Sequence, residues 1–458
     1  MLVACDVGAI TLEQALIQAY LHSPELAAAI AGKKAKDEAA LGRAYSRWQP
    51  NITAQYTMTG DRHNETMEAL SLPAAGTSPI MRSQSRNAMV KLQQNIFDGF
   101  STTKNISAAE HSVAGARAEL IAAEQQLFQR VIAAYLAVWE AHQHLDIARK
   151  QETNLASDLH AAEKKFEVGA GTRLEVAAAR AQHADTTYRC AFAHANLEAA
   201  LARFEATIRA KPDNQISLPD IPKGLPTSLE ELIQLAQRFC PELKSAQEKA
   251  LAARDIVSSA RGGLLPRVDL EMSAYKNLHA SRDENRITPR RNLDQESKGC
   301  SGTIVVSIPL LANGGEGNLY STSRRVSQEA LAAEMSWKKV VLDLEAECVR
   351  TWNTFKAAEA QLQQSKMAVE SAEIAADGVR QAAKYGLKSQ TDVLYYEGKL
   401  LDARNQAVKI QKDYVAMACT LLALTGRLTS AGLHLKVTPY DVEGNEALAR
   451  WNPPFVIE

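Results

Sequence analysis

The sequence contains no run of about 20 apolar residues, so no segment reads as a transmembrane helix. That absence leaves a β-barrel open, because a barrel strand needs only about 10 alternating residues. Excess charge is also lacking. The 52 basic and 53 acidic residues give a net charge of −1, which calls for neither nucleic acid nor a strongly charged substrate. Aromatic residues make up only 6%. With Ala, Glu, Gln, Lys and Leu abundant, that scarcity points to long packed helices in place of one thick core. The six cysteines (Cys5, Cys190, Cys240, Cys300, Cys348, Cys419) lie far apart without metal spacing. They read as small apolar fillers on helices, and no disulfide pairing is legible.

Catalytic signatures are missing as well. There is no GxSxG, HExxH or CxxC. Gly169-Ala170-Gly171 lacks the strand and third glycine of a nucleotide loop, and Gly314-Gly315-Glu316-Gly317 lacks a following Lys-Ser/Thr. His142 and His144, two apart, point to different faces of a helix. No enzymatic activity, cofactor or metal site is implied.

At the N-terminus, Val7-Gly8-Ala9 has small-residue spacing that suits signal cleavage before Ile10, making residues 1–10 the remnant of a secretory signal. Two other readings stand beside it: a lipoprotein box, Leu2-Val3-Ala4-Cys5, with a lipidated Cys5, and an ordinary cytosolic start.

What the chain has is an internal repeat. Pro24-Glu25-Leu26 recurs as Pro241-Glu242-Leu243, and Leu12 to Ile17 resembles Leu229 to Ile233. Val131, Tyr135, Val138 and Leu145 match Cys348, Trp352, Phe355 and Leu362. Phe166-Glu167-Val168-Gly169 matches Ala383-Lys384-Tyr385-Gly386. One offset of about 217 residues serves most of these pairs, a signature of duplication. Each half, 11–210 and 228–426, reads as helix, strand, strand, very long helix, tight turn, helix. Residues 211–227 form a Pro- and Asp-rich linker, and 427–458 read as irregular.

Trp48-Gln49-Pro50 and Leu264-Leu265-Pro266 each lead into an alternating run. Ile52, Ala54, Tyr56 and Met58 alternate with polar residues, as do Val268, Leu270, Met272 and Ala274. Val90 and Leu92 flank Lys91, and Ile304, Val306 and Ile308 form a fourth run. Period two means that one face meets apolar surroundings and the other meets water. The segments between, about Asp61 to Ser83 and Ser281 to Lys298, read as long polar loops; Arg282, Asp283, Glu284, Arg286, Arg290 and Arg291 crowd the second. Four strands make either an ordinary soluble sheet or part of a barrel, and a barrel needs several subunits to close.

From about Thr102 to Phe166 there is no proline. Val113, Ala116, Leu120, Ala123, Leu127, Val131, Ala134, Val138, Ala141, Leu145, Ala148, Glu152, Leu155, Leu159, Ala162 and Phe166 form a heptad seam with a single stutter. Leu319 to Lys384 repeats the pattern. About 65 residues at 1.5 Å each make a rod of roughly 100 Å. Shorter helices are expected over Thr11–Tyr45, Arg173–Ile208, Ser228–Arg261 and Gln390–Thr425. Seam alanines let helices approach closely, as in a tube wall. A coiled-coil scaffold or periplasmic adaptor without a pore shares the helices but does not explain two identically placed hairpins.

Together these features resemble the TolC family of outer-membrane efflux proteins. The points of likeness are the duplicated halves, strands entered through Pro50 and Pro266, and turns at Val168-Gly169 and Tyr385-Gly386. Ile96-Phe97-Asp98-Gly99 and Ile308-Pro309-Leu310-Leu311, ending the second strand of each half, add to it. The resemblance covers about Thr11 to Gly426. It implies a mainly α homotrimer with a long antiparallel coiled-coil α-barrel in the periplasm. Four strands per subunit would join one twelve-stranded barrel in outer-membrane lipid. An inner-membrane transporter and a periplasmic adaptor would be its partners. The family's gate lies at the periplasmic tip. On that alignment Asp392 takes the place of an aspartate ringing the constriction, Lys388 of the gating arginine and Glu175 of its partner acid, with Arg173 at the first tip. Tyr385 lies near the expected gate tyrosine, and Tyr395 replaces a second aspartate ring. A threefold ring of carboxylates favours cation binding and a raised pKa at Asp392. The turns Val168, Gly169, Ala170 and Tyr385, Gly386, Leu387 are where an adaptor hairpin would dock.

Overall fold

The computed structural model describes residues 11–64, 80–210, 216–221, 224–283, 293–310, 318–438, 440 and 442–451. In chain order the elements are α1 (Leu12–His22), α2 (Pro24–Asp37), a π-helical stretch (Glu38–Gly42), α3 (Arg43–Ser46), β1 (Asn51–Asn64), β2 (Ile80–Phe97), α4 (Ser101–Glu167) and α5 (Arg173–Ile208). The second half follows with α6 (Leu229–Phe239), α7 (Pro241–Gly262), β3 (Arg267–Asp283), β4 (Leu293–Ser307), α8 (Leu319–Lys384) and α9 (Gln390–Leu424). A final helix, α10 (Val442–Trp451), closes the chain. Among the described residues no helix is long and apolar enough to cross a membrane. The chain divides into two compact units.

The helical unit comprises Met1–Ala35, Ala114–Gln247 and Met335–Val442. Its two principal cores share equivalent positions of the two halves. Ala15, Ala19, Leu26, Val131, Val138 and Phe204 are buried in the first. Their counterparts Leu232, Ala236, Leu243, Cys348, Phe355 and Leu421 are buried in the second. The seam positions of α4 from Val113 to Leu155 are buried or half-buried, whereas Phe166, assigned to the same seam, is 47% exposed near the helix end.

The first helix of each half, expected to be continuous, is broken at the same place. Ser23 and Cys240 take extended backbone (ψ 119° and 120°), each with its N–H still donating to the carbonyl four residues back. The cause is Pro24 and Pro241: proline forces its predecessor out of helical geometry and then opens a new helix. Between Pro24 and Pro50 the first half carries one residue more than the second does between Pro241 and Pro266. The π-helical stretch Glu38–Gly42 lies in that interval, while α7 is uninterrupted. A π-bulge absorbs one inserted residue without breaking a helix.

The second unit comprises Lys36–Val113, Glu248–Glu334 and Glu443–Glu458. It holds one antiparallel sheet in the order β1-β2-β3-β4. The strands run further than the alternation suggested, β1 to Asn64 and β3 to Asp283, because polar residues on both faces still complete the ladder. What remains of the expected loops, including Glu284, Arg286, Arg290 and Arg291, lies outside the described residues. So do residues 1–10 with Cys5, Lys211 at the start of the linker, Gly314 to Gly317 and Asn452-Pro453-Pro454. The tail expected to be irregular after Arg427 instead contains α10, whose Ala449 packs with Leu41, Ala44, Ala109 and Val113. Asn445 donates to the buried Asp37 at 2.8 Å. Cys348 and Cys419 on helices and Cys240 at the break between α6 and α7 are buried free thiols, but Cys300 sits exposed on β4. Burial pushes Cys348 and Cys419 up to about 11, so neither is a reactive thiolate.

The junction of sheet and helices depends on glycine. Asp98 Oδ2 accepts from the Thr102 N–H at 2.9 Å and caps α4. Beside it Gly99, at φ +65°, lies so close to the end of α7 that an added Cβ would stand 2.3 Å from the Gly262 carbonyl oxygen. Gly99→Ala therefore combines positive-φ strain with a backbone clash and is expected to destabilise this unit by about 1–3 kcal/mol. Gly378→Ala, on α8 with no neighbour within 4 Å, should be neutral or stabilising. Thermal melts of the two purified variants test this; equal melting temperatures would refute it.

Candidate functional site

The register sorts the sheet into two chemically different faces. One face carries Ile52, Ala54 and Tyr56 on β1, Leu92, Val90 and Ala88 on β2, Val268, Leu270, Met272 and Ala274 on β3, and Val306, Ile304, Gly302 and Cys300 on β4. Ile52, Tyr56, Val90, Met272, Ile304 and Val306 are each about half exposed or more. The other face is mostly polar: Thr53, Gln55 and Thr57, then Gln93, Lys91, Met89 and Asn87, then Glu271, Ser273, Tyr275 and Asn277, then Thr303, Ser301, Gly299 and Ser297. Its polar groups bond one another: Lys91 with Glu271 at 3.4 Å, Gln93 with Glu271 at 3.3 Å, and Ser273 with Ser301 at 2.9 Å. An apolar patch of this size has no place in water and marks a membrane or partner surface. From Val268 to the first charge on that face, Lys276, the strand rises about 27 Å. At a tilt of about 40° that rise covers roughly 20 Å of height, most of the apolar band of about 25 Å on a membrane-spanning barrel.

The two helix–helix turns share a local design. α4 and α8 each end in a left-handed glycine, Gly169 (φ +73°) and Gly386 (φ +74°). The next N–H closes a six-residue loop: Ala170 donates to the Lys165 carbonyl at 2.9 Å and Leu387 to the Ala382 carbonyl at 3.0 Å. This is the Schellman arrangement that needs glycine. A capping box then starts the following helix. Glu175 accepts from the Thr172 N–H at 3.0 Å and Thr172 Oγ1 from the Glu175 N–H at 3.2 Å. Asp392 accepts from the Ser389 N–H at 3.1 Å and Ser389 Oγ from the Asp392 N–H at 3.2 Å.

Within the single chain the Asp392 carboxyl is held below the ordinary aspartate value, first by the Ser389 N–H and hydroxyl and then by Lys388. The raised value is expected of a ring of three carboxylates, which one chain does not contain. Among the described residues neither Lys388 nor Arg173 is ion-paired. Tyr395 stands edge-on to Tyr396 at 5.4 Å between ring centres, with Lys399 over it at 5.6 Å. Val168, Leu174, Tyr385, Leu387 and Tyr395 are all at least 60% exposed, an apolar display at both turns.

A set of residues that motif reading missed lies one to two turns away. Arg380 on α8 donates to Glu397 on α9 at 2.7 Å, and also reaches Asp377 at 2.9 Å. Glu397 is 3% exposed, and its second oxygen is buried without a hydrogen-bond partner. Asp158 on α4 faces the same group: burial, then Glu397, push its carboxyl above the ordinary value. At the matching positions of the first half, Glu163 pairs with Arg180 at 2.8 Å. The pair is kept and its polarity reversed. The offset of about 217 residues was the available signal, but it compares like with like and so passes over a swap of sign. The first pair is open to solvent at 69% and 37%, whereas the second has Glu397 at 4%.

Burial decides their worth. Arg380→Ala should cost about 1–3 kcal/mol by stranding a buried carboxylate, and Arg180→Ala under about 1 kcal/mol. A raised Asp158 stabilises fully only at pH below its unfolded value and loses that contribution as pH rises through its folded value. Asp158→Asn is therefore expected to raise the melting temperature at neutral pH and flatten its pH dependence. A lower melting temperature for that variant, or equal costs for the two arginines, would contradict this account.

Comparison with known proteins agrees with both halves of this description. The family model for outer membrane efflux proteins matches residues 15–210 and again 232–427. The outer membrane efflux protein BepC of Brucella suis is 29% identical over 94% of this chain and 89% of its own. The alkaline protease secretion protein AprF of Pseudomonas aeruginosa is 26% identical over 68% of this chain and 63% of its own. Among solved structures, the outer membrane protein VceC of Vibrio cholerae superposes with a TM-score of 0.73 at 17% identity, covering 91% of this chain and 96% of that one. Two successive matches to one family model, each with its own hairpin and long coiled coil, make this chain a member of the outer membrane efflux protein family, resident in the outer membrane.

Proposed function

We propose that three copies of this chain close one twelve-stranded barrel and one helical tunnel, a passive conduit for efflux or type I secretion without chemistry of its own. The observation that carries this reading is the sheet. Its outward face is apolar, its inward face is mostly polar, and β1 and β4 are its edges within the chain. Unpaired backbone is intolerable in hydrocarbon, so the edges must join those of other copies. Four strands are too few to close a barrel, and twelve leave a lumen.

On this reading residues 11–210 and 228–426 are the two repeats, with 211–227 the linker between them. Cargo is handed over by an inner-membrane transporter through a periplasmic adaptor. The exposed turns Val168, Gly169, Ala170 and Tyr385, Gly386, Leu387 suit docking of that adaptor. The gate lies around Asp392, Lys388, Tyr385 and Tyr395 in the second repeat, with Glu175 and Arg173 as first-repeat counterparts. The Arg380–Glu397 pair, with its carboxylate buried, supports a firmer hold on the second coiled coil than on the first.

Purified protein is expected to migrate as a detergent-dependent trimer and to give stepwise current across a planar bilayer. Asp392→Asn should weaken block of that current by divalent cations. A chain that is monomeric and soluble without detergent, or a trimer that never conducts, would sink the proposal.

A further inference from the structure

The outward face of the sheet carries a charge pattern that conduction does not use. Beyond the apolar belt, towards the strand ends remote from the helices of this unit, the register gathers bases. Lys276 stands directly opposite Lys298. Arg86 lies one pair further along the same face, opposite Leu278, and Arg62 stands opposite Arg82. Arg62 and Arg82 have partners of their own; beside Arg86, Lys276 and Lys298 the described acid on this face is Glu296, which takes Lys276 at 3.0 Å. Like charges directly opposite across a ladder are destabilising, and Glu296 answers only one lysine of that pair.

Neighbouring strands lie about 4.8 Å apart, so Arg86 on β2, Lys276 on β3 and Lys298 on β4 span about 10 Å. That is the scale of one or two phosphate groups. On the belt side the next residues on this face are small or apolar: Ala88, Ala274, Cys300 and Val90. Tyr56 stands in the same row as Lys276 and Lys298 and marks the level of the membrane interface. A soluble anion would use the bases and leave the belt bare. A molecule with phosphate at one end and hydrocarbon at the other satisfies both.

We propose that Arg86, Lys276 and Lys298 hold the phosphate groups of a phosphorylated lipid in the outer leaflet, with its acyl chains laid along the apolar belt. The inference rests on the proposed barrel, which makes this face the lipid-facing one. Charge-assisted bonds from guanidinium and ammonium to phosphate are the strong kind. The site is shared across three strands of one chain and would recur three times around the barrel.

The test uses the full-length purified protein in detergent, titrated with diphosphoryl lipid A or with phosphatidylcholine, and native mass spectrometry to count retained lipids. The wild type should retain lipid A roughly tenfold better than phosphatidylcholine, and the R86Q/K276Q/K298Q variant should lose most of that preference. Lys91→Gln, on β2 but facing the polar side, should keep it. Should the triple variant fail to assemble, Lys298→Gln alone is expected to lose part of the preference. Equal retention of the two lipids by the wild type, an unaltered preference in the variants, or an equal loss with Lys91→Gln overturns the assignment. Bilayer current from the same samples separates the two readings. A conducting wild type without lipid preference overturns only the lipid site, and a wild type that never conducts overturns the barrel and the site together.

Discussion

In hydrocarbon there is no water to satisfy a strand edge, and the sheet of this protein has two edges, β1 and β4. Much of the rest follows from that constraint. A single chain holding Ile52, Tyr56, Met272 and Ile304 half exposed or more is an incomplete object. In the proposed barrel its apolar face meets lipid and its edges join other strands. The polar face, cross-linked by Lys91, Glu271 and Gln93, is suited to water. Membership of the outer membrane efflux protein family gives that arrangement its setting.

Duplication supplies the helical part cheaply, because one set of packing rules is used twice. Ala15, Val131 and Phe204 do in the first core what Leu232, Cys348 and Leu421 do in the second. Pro24 and Pro241 break the same helix at the same point. Where the halves drifted, the fold absorbed the change. One extra residue between Pro24 and Pro50 coincides with the π-helical stretch Glu38–Gly42, and β2 and β3 still pair from Met81↔Asp283 to Asn95↔Asp269, with one irregularity before Phe97.

The turns are where the copies part. Their backbone is the same, glycine then capping box, since each α-helical hairpin faces the same problem of unsatisfied terminal groups. Their surfaces are not. Val168 and Tyr385 occupy one position, and the cross-helix ion pair near each tip reverses its sign and changes its burial. The pair with the buried carboxylate holds its geometry more firmly than the exposed one, because removing Arg380 leaves Glu397 charged and out of solvent.

The sequence alone determined the element order, the duplication and the faces of the strands, because periodicity of 2 and of 3 to 4 residues maps directly onto which side chains share a surface. It also marked the turns, through Gly169 and Gly386. What it could not determine depends on neighbours distant in the chain. That Asp392 serves as a cap with a lowered pKa, that Glu397 is buried against Arg380 beside Asp158, and that Lys276 faces Lys298 under Arg86 all rest on packing and strand register. Periodicity says which way a side chain points. Only the tertiary structure decides what it meets there, because a charge takes its energy from the groups and the solvent around it.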